Sequence, residues 1–166
     1  MHNEPQNQEV TVRIRDYIRD HLHERLQIAA PSVYRNYTEF MGRFIKKGGI
    51  IEAHPPCLKE QLATVAVTFE LDPDGEHRIL TAYEKINGQP FRPVACAFPQ
   101  RILAPTQAGS VVRQLCDSFK LRRMFGVFTV DFLVEKESGR SWVLGIDPYL
   151  NDFAASFHLF DLLMAG

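Results

Sequence analysis

Residues 126–149 read GVFTVDFLVEKESGRSWVLGIDPY, and the reading of this stretch decides the fold. Phe128, Val130, Phe132 and Val134 fall on alternate positions, the period-two pattern of a strand with one buried face. A turn at Ser138-Gly139 leads to a second strand, Ser141 to Asp147, with Trp142, Leu144 and Ile146 on one side and Pro148 ending it. The pattern predicts an antiparallel hairpin whose odd-numbered face carries one acid on each arm, Asp131 and Asp147. With the loop centred near Ser138 and the two apolar faces aligned, Gly145 lies opposite Asp131 and Asp147 is the diagonal neighbour. Two carboxylates so placed can share a hard cation such as Mg²⁺, which takes oxygen ligands and commonly bridges to phosphate. The same spacing also suits two acids on a solvated sheet face or at turns.

Working outward, Phe153 to Met164 is apolar almost all round, which predicts a deeply packed final helix capped by Asp152, with Gly166 suited to its end. Upstream, Val65, Val67, Phe69 and Leu71 mark one face of a strand, Thr64 to Leu71. The Asp72-Pro73-Asp74-Gly75 turn sends Arg78 to Glu84 back beside it. Pro90, Pro93, Pro99 and Pro105 read as loop and sheet edge, since proline cannot donate to a ladder. Thr106 is positioned to cap a helix running to about Arg122, with Ala108, Val111, Val112, Leu115 and Phe119 inward. Two helices open the chain. Val10 to Gln27 repeats Ile14, Ile18, Leu22 and Leu26; the second, capped by Ser32, presents Tyr37, Phe40 and Phe44 and stops at Gly48-Gly49. Ile50 to Ala53 reads as a short strand closed by Pro55 and Pro56. The fold class expected is α+β, an antiparallel sheet of hairpins packed with helices.

Composition limits the functions this fold can serve. The chain has 166 residues, 45% hydrophobic and 23% charged, with a formal net charge of −1. That describes about one folded domain with no bulk electrostatic reason to bind nucleic acid or an anionic membrane. Its three cysteines, Cys57, Cys96 and Cys116, are too few and too scattered for a disulfide framework, and a cytoplasmic location with reduced thiols is expected. No apolar run approaches a membrane span, and no GxxxxGK[ST] phosphate loop is present in the sequence. His54-Pro-Pro-Cys57 offers two zinc-ligand types without a second pair, which favours a plain loop. Glu52, following Ile50-Ile51, is a candidate to face the same cleft as the two acids. Lys85, ending the returning hairpin arm, is a cation that could meet a phosphate or lie along the surface with its ammonium in water.

Several motifs in order carry a resemblance: Gly48-Gly-Ile-Ile-Glu52-Ala-His-Pro-Pro56, Asp72-Pro-Asp-Gly75, Ile79-Leu-Thr-Ala-Tyr-Glu-Lys-Ile86, Gly126-Val-Phe-Thr-Val-Asp131 and Trp142-Val-Leu-Gly-Ile-Asp147-Pro-Tyr149. Together they resemble the C-terminal part of an ATP-grasp fold, and more closely the ATP-grasp-like domain of the IQ-motif-containing protein H family. The resemblance covers about residues 33–166 and implies an ATP-grasp-like C-terminal lobe there, with ATP and Mg²⁺ as cofactors, preceded by the N-terminal helical segment over 1–32 that the periodicity predicts. It places a first metal-holding acid at Asp131 and the position of a metal-holding Asn at Asp147. Gly145 stands where ATP-grasp ligases carry a Glu, and Tyr149 where they often carry a phosphate-binding Arg. The expectation is therefore a degenerate domain, a pseudoenzyme acting as a structural or interaction module with residual Mg-ATP binding. The alternative is one lobe of an ATP-dependent carboxylate-amine ligase that works with a preceding lobe as its partner.

Overall fold

The computed structural model describes residues 4–50, 53–88 and 93–165. Glu52 and Ile51, together with Pro90 and Gly166, lie outside the described residues. The flanking Ile50 and Ala53 are not strand, so the expected strand there is not formed by them. The chain divides into two compact units, Met1–Ala53 and His54–Gly166.

The first unit holds two helices, α1 (Glu4–Arg25) and α2 (Tyr37–Lys47). Its second helix begins five residues beyond the cap expected at Ser32. Asn36 is the cap, its side-chain oxygen accepting the Glu39 N–H at 2.9 Å, while the Glu39 carboxylate accepts the Arg35 N–H at 3.1 Å. A reciprocal arrangement of this kind satisfies two otherwise orphaned donors and so fixes where the helix starts. Tyr34 meets Phe40 edge-on, and Phe40 stacks on Phe44 along this unit.

The second unit is built on one antiparallel sheet of five strands in the order β3-β2-β1-β4-β5. The strands are β1 (Leu62–Leu71), β2 (His77–Asn87), β3 (Pro93–Ala97), β4 (Gly126–Glu135) and β5 (Ser141–Asp147). A tight turn at Asp72–Gly75 joins β1 to β2, with Gly75 at φ 92° and its N–H on the Asp72 carbonyl at 2.9 Å. Pro93 opens an edge strand, where its missing N–H costs no ladder bond. One sheet face packs under α3 (Pro105–Leu121). Val65, Val67, Phe69 and Leu71 from β1, and Phe128, Val130, Phe132 and Val134 from β4, meet Ala108, Val112 and Cys116 of the helix. The two strand faces read from the sequence are thus the main core. Helix α3 starts with Pro105, a residue whose fixed φ suits a first helical position. Ala104 precedes it without a side-chain cap, so Thr106 does not cap this helix.

The opposite face receives α4 (Asp152–Met164), where Ala154 and Phe153 pack on Ala66 and Tyr83. The cap is Asn151 rather than Asp152, its side-chain oxygen accepting the Ala154 N–H at 3.0 Å. Deep packing of this helix is not observed. Only Ala154 is buried, and Leu159, Phe160, Leu162, Leu163 and Met164 are 59 to 73% exposed. The helix meets the sheet through Phe153 and Ala154 of its first turn, and its last turns are left exposed.

Asn151 also accepts a hydrogen bond of 2.8 Å from the Tyr83 hydroxyl, tying β2 to the start of α4. Burial pushes the Tyr83 hydroxyl up to about 12; the Asn151 bond acts against this and the nearby Asp131 charge adds to it. An unfolded tyrosine ionises near its ordinary value of about 10. The preference of Tyr83 for the folded state is therefore complete below that value and is lost as pH rises toward 12. In urea denaturation, Tyr83→Phe is expected to be less stable than the parent by about 1 kcal/mol at neutral pH for the lost hydrogen bond. The parent alone should then lose a further 2–3 kcal/mol or so through the alkaline range, reversing the order of the two proteins.

Candidate functional site

The centre of the sheet determines what can sit on its second face. Val65 through Phe69 are all fully buried, so side chains on both faces of β1 are removed from water. On the α3 face they are apolar. On the other face the register brings together small and polar residues. Tyr83, Ala66, Asp131 and Gly145 lie in one row across β2, β1, β4 and β5, with Thr81, Thr68, Thr129 and Asp147 in the next. The sequence-derived register of the last hairpin is the observed one: Gly145 is the partner of Asp131, and Asp147 pairs with Thr129 as its diagonal neighbour.

Beyond Asp131 the hairpin departs from simple alternation. The ladder shifts between Asp131 and Phe132, so that Phe132 pairs with Val143 and Leu133 with Trp142, leaving Leu144 as the extra residue. A bulge of this kind moves every following side chain to the other face. Trp142 therefore lies on the face of Asp131, not with Ile146 as the even-numbered pattern predicts. A strand at the sheet edge accepts this irregularity more readily than a central one.

The polar residues of the second face come as pairs. The hydroxyls of Thr68 and Thr129 are hydrogen-bonded at 2.9 Å, and the Tyr83 hydroxyl donates to Asn151 as above. Lys85 Nζ donates to Asp131 Oδ2 at 2.6 Å, with the two side chains only 11% and 23% exposed. To make this bond Lys85 reaches from β2 to β4 across β1, where it passes the methyl-sized Ala66 and its own partner Thr64. The sequence-derived alternative of a surface lysine is thereby excluded, because its ammonium ends on a carboxylate inside the sheet face. Asp131 Oδ1 is buried and has no hydrogen-bond partner.

Of the four residues singled out from the sequence, the structure brings Lys85 and Asp131 together and sets Asp147 one diagonal away. Glu52 lies outside the described residues. A cavity of about 640 Å³ at this end of the sheet is lined by Thr64, Lys85, Asp131, Leu133 and Leu144, among others. A second, apolar groove of about 700 Å³ runs beside α4 between Thr81, Phe98, Phe157 and Phe160, and no charged side chain lines it. Tyr83, Asn151 and the threonine pair were not singled out from the sequence. Thr81, Tyr83 and Lys85 reach the face of Thr64, Ala66 and Thr68 because the β1–β2 ladder shifts by one residue between Thr68 and Phe69, which alternation from the Asp72–Gly75 turn does not show.

These residues fit a resident Mg²⁺ poorly. Mg²⁺ asks for an octahedron of oxygen donors, with one or two carboxylates at its base. Here one oxygen of Asp131 is held by an ammonium, and Gly145 offers no side-chain oxygen. Among the described residues no group of three or more His, Cys, Asp and Glu side chains is placed to hold a metal ion. His54 Nδ1 lies 2.7 Å from the Pro55 carbonyl in its loop, and all three cysteines are free thiols. Burial raises the Cys96 and Cys116 thiols, which makes them less reactive. Among the described residues no helix is long and apolar enough to cross a membrane.

Comparison with known proteins places this geometry. A family model described as IQCH-like, ATP-grasp matches residues 1–166. IQ motif-containing protein H of Danio rerio is 26% identical over 134 residues, covering 77% of this chain and 12% of that protein, so the chain spans about an eighth of that relative's length. The biotin carboxylase domain of a thermophilic 2-oxoglutarate carboxylase, solved bound to ADP without magnesium, superposes with a TM-score of 0.50 at 13% identity. It covers 60% of this chain and 22% of that one. The biotin carboxylase domain dimer of Hydrogenobacter thermophilus 2-oxoglutarate carboxylase, in complex with MgADP, ADP and bicarbonate, gives 0.48 at 14% identity, with coverages of 56% and 20%. The likeness to the ADP-bound biotin carboxylase domain is one of fold, over 60% of this chain.

The ion pair is shielded enough to matter and exposed enough to be less costly to break than a fully buried one. A double-mutant cycle on Lys85→Met and Asp131→Asn, read by urea denaturation, is expected to give a coupling energy of about 1–2 kcal/mol. That coupling should change little between low and high salt, because the pair is mostly screened from solvent ions by protein.

Proposed function

The chain belongs to the IQCH-like ATP-grasp family, and from that premise we propose that it is a degenerate ATP-grasp domain, a structural and interaction module rather than a ligase. The observation that carries this reading is the Lys85–Asp131 ion pair. Phosphoryl transfer depends almost entirely on positioned charge: cations gathered on the phosphates and carboxylates holding the metal. In this chain the one acid at the centre of the sheet face is neutralised by a lysine of the same face. Gly145 beside it brings no second ligand, and Tyr149, where a phosphate-binding Arg would stand, brings no charge. With the cation and the anion spent on each other, neither is free to bind the complementary charge of Mg-ATP.

The surface supports the interaction role. Leu159, Phe160, Leu162, Leu163 and Met164 of α4 are exposed, as are Val143, Leu144 and Ile146 of the edge strand β5. A run of exposed apolar side chains along one helix is characteristic of surfaces that pack against protein. The occupant we assign is another part of the same polypeptide in longer family members, since the relative it matches is mostly outside the aligned region.

Incubated with Mg²⁺ and ATP, the purified chain and a longer family protein containing it are both expected to release ADP no faster than buffer. Release abolished by Asp131→Asn would instead support the ligase-lobe reading and overturn this one. The interaction role predicts, by hydrogen exchange, that amides of Leu159 to Met164 exchange at least about tenfold more slowly in the longer protein than in this chain alone. Equal rates would remove the support that α4 provides.

A further inference from the structure

We propose that Lys85 is a tethered counter-ion standing in for a divalent cation at Asp131, so that the chain keeps the acid of a metal site while excluding the metal. This rests on the degenerate reading above and gives it a physical cause. The position of Lys85 is set by sheet register and not by a loop: it is the partner of Thr64 on β1, which pairs with Leu133 two residues beyond Asp131 on β4. From there a lysine stem, passing Thr64 and Ala66 of β1, delivers its ammonium to Asp131 Oδ2 at 2.6 Å. A shorter or neutral side chain at position 85 would leave that carboxylate without an internal partner.

Three properties of the pair work against a divalent ion. The carboxylate and the ammonium sum to zero charge, so nothing net draws a cation in. The one free acceptor, Asp131 Oδ1, is buried. A cation placed on it would stand beside the ammonium, in surroundings where like charges repel far more strongly than in water. The row also ends in Gly145, so displacing Lys85 would yield one carboxylate and no neighbouring oxygen in that row. Removing the lysine charge ends the neutralisation and the repulsion of a second cation, while the burial of Oδ1 stays as it is. Asp131 then carries an uncompensated negative charge with two shielded oxygens, and Asp147 adds a second negative charge one diagonal away. A site that now rejects a cation should accept one.

The test uses Mn²⁺ alone, without nucleotide, on the full chain, measured by calorimetry and by electron paramagnetic resonance. The parent is expected to show no saturable binding up to millimolar Mn²⁺. Lys85→Met, which keeps the length of the stem and drops its charge, is expected to bind at least about tenfold more tightly. Adding Asp131→Asn to Lys85→Met should remove the gain. A Lys85→Met protein that melts cooperatively yet binds no more tightly than the parent overturns the proposal. Should that variant not fold, the parent alone decides: submillimolar Mn²⁺ should leave the amide resonances of Thr129 to Leu133 unbroadened, and their selective broadening overturns it. Mn²⁺ binding by the parent would sink this inference without touching the degenerate reading. ADP release would sink the degenerate reading whatever the Mn²⁺ result.

Discussion

Strand β1 is buried on both sides, and most of what is particular about this protein follows from that. A central strand with helices on both faces normally reads as a continuous apolar run. Here Val65, Val67 and Phe69 meet that demand toward α3, but the alternate positions are Thr64, Ala66 and Thr68. The second face can therefore carry polar groups only where each finds a partner, because a buried donor or acceptor left alone costs about 1–3 kcal/mol. The partners come from other strands of the sheet or from the cap of α4: threonine with threonine on adjacent strands, tyrosine with asparagine, and lysine with aspartate across β1. Asp131 is held by this rule before any question of ligand arises. Its place in the middle of β4 obliges it to have a cation, and Lys85 supplies one.

Asn151 shows the same economy. Its one side-chain oxygen caps α4 and accepts from Tyr83, so the helix is docked on the sheet and started by the same atom. This explains why α4 touches the sheet at its first turn and leaves its later residues uncovered. The helix is anchored at one end by polar contacts, and its apolar length beyond Phe157 is free for something other than the core.

The parts of the fold legible in the sequence were those written in two-residue periods. The core faces of β1 and β4, the Asp72–Gly75 turn, and the pairing of Asp131 with Gly145 all follow from alternation and turn chemistry, because a slip of one residue would expose a whole face. What alternation cannot show is an inserted residue. The bulge at Leu144 leaves the composition of β5 unchanged while moving Trp142 to the other face. Helix starts were misplaced for a related reason. Ser32, Thr106 and Asp152 are all good capping types, but the choice among nearby candidates was made by Asn36 with Glu39, by Pro105, and by an Asn151 already needed by Tyr83. The depth of α4 is not legible because an apolar helix looks the same in sequence whether or not a core covers it. Of the site, the two acids and Lys85 were each visible, but not their relation. The hairpin β1–β2 and the hairpin β4–β5 are separate in sequence, and only the long-range pairing of β1 with β4 brings residue 85 over residue 131.

Gly145 sharpens the distinction between a site that was never able to hold a metal and one whose packing would still allow it. A glycine inside a strand is commonly there because a backbone or side chain approaches too closely for a Cβ, or because the strand must adopt a positive φ. Neither applies. A Cβ built at Gly145 would meet no atom within 4 Å, and its φ is not among the positive values that mark Gly48, Gly75, Gly126 and Gly139. A Cβ beside Asp131 therefore meets no steric bar, and the lack of a side-chain oxygen at position 145 is not imposed by contact with the backbone or side chains around it. Two features then point the same way from independent causes: the ligand that sterics would permit is absent, and the ligand that is present is occupied by Lys85. The core that α3 covers and the cap that α4 needs are indifferent to both, so the packing of the sheet does not depend on which charges the Asp131 row carries.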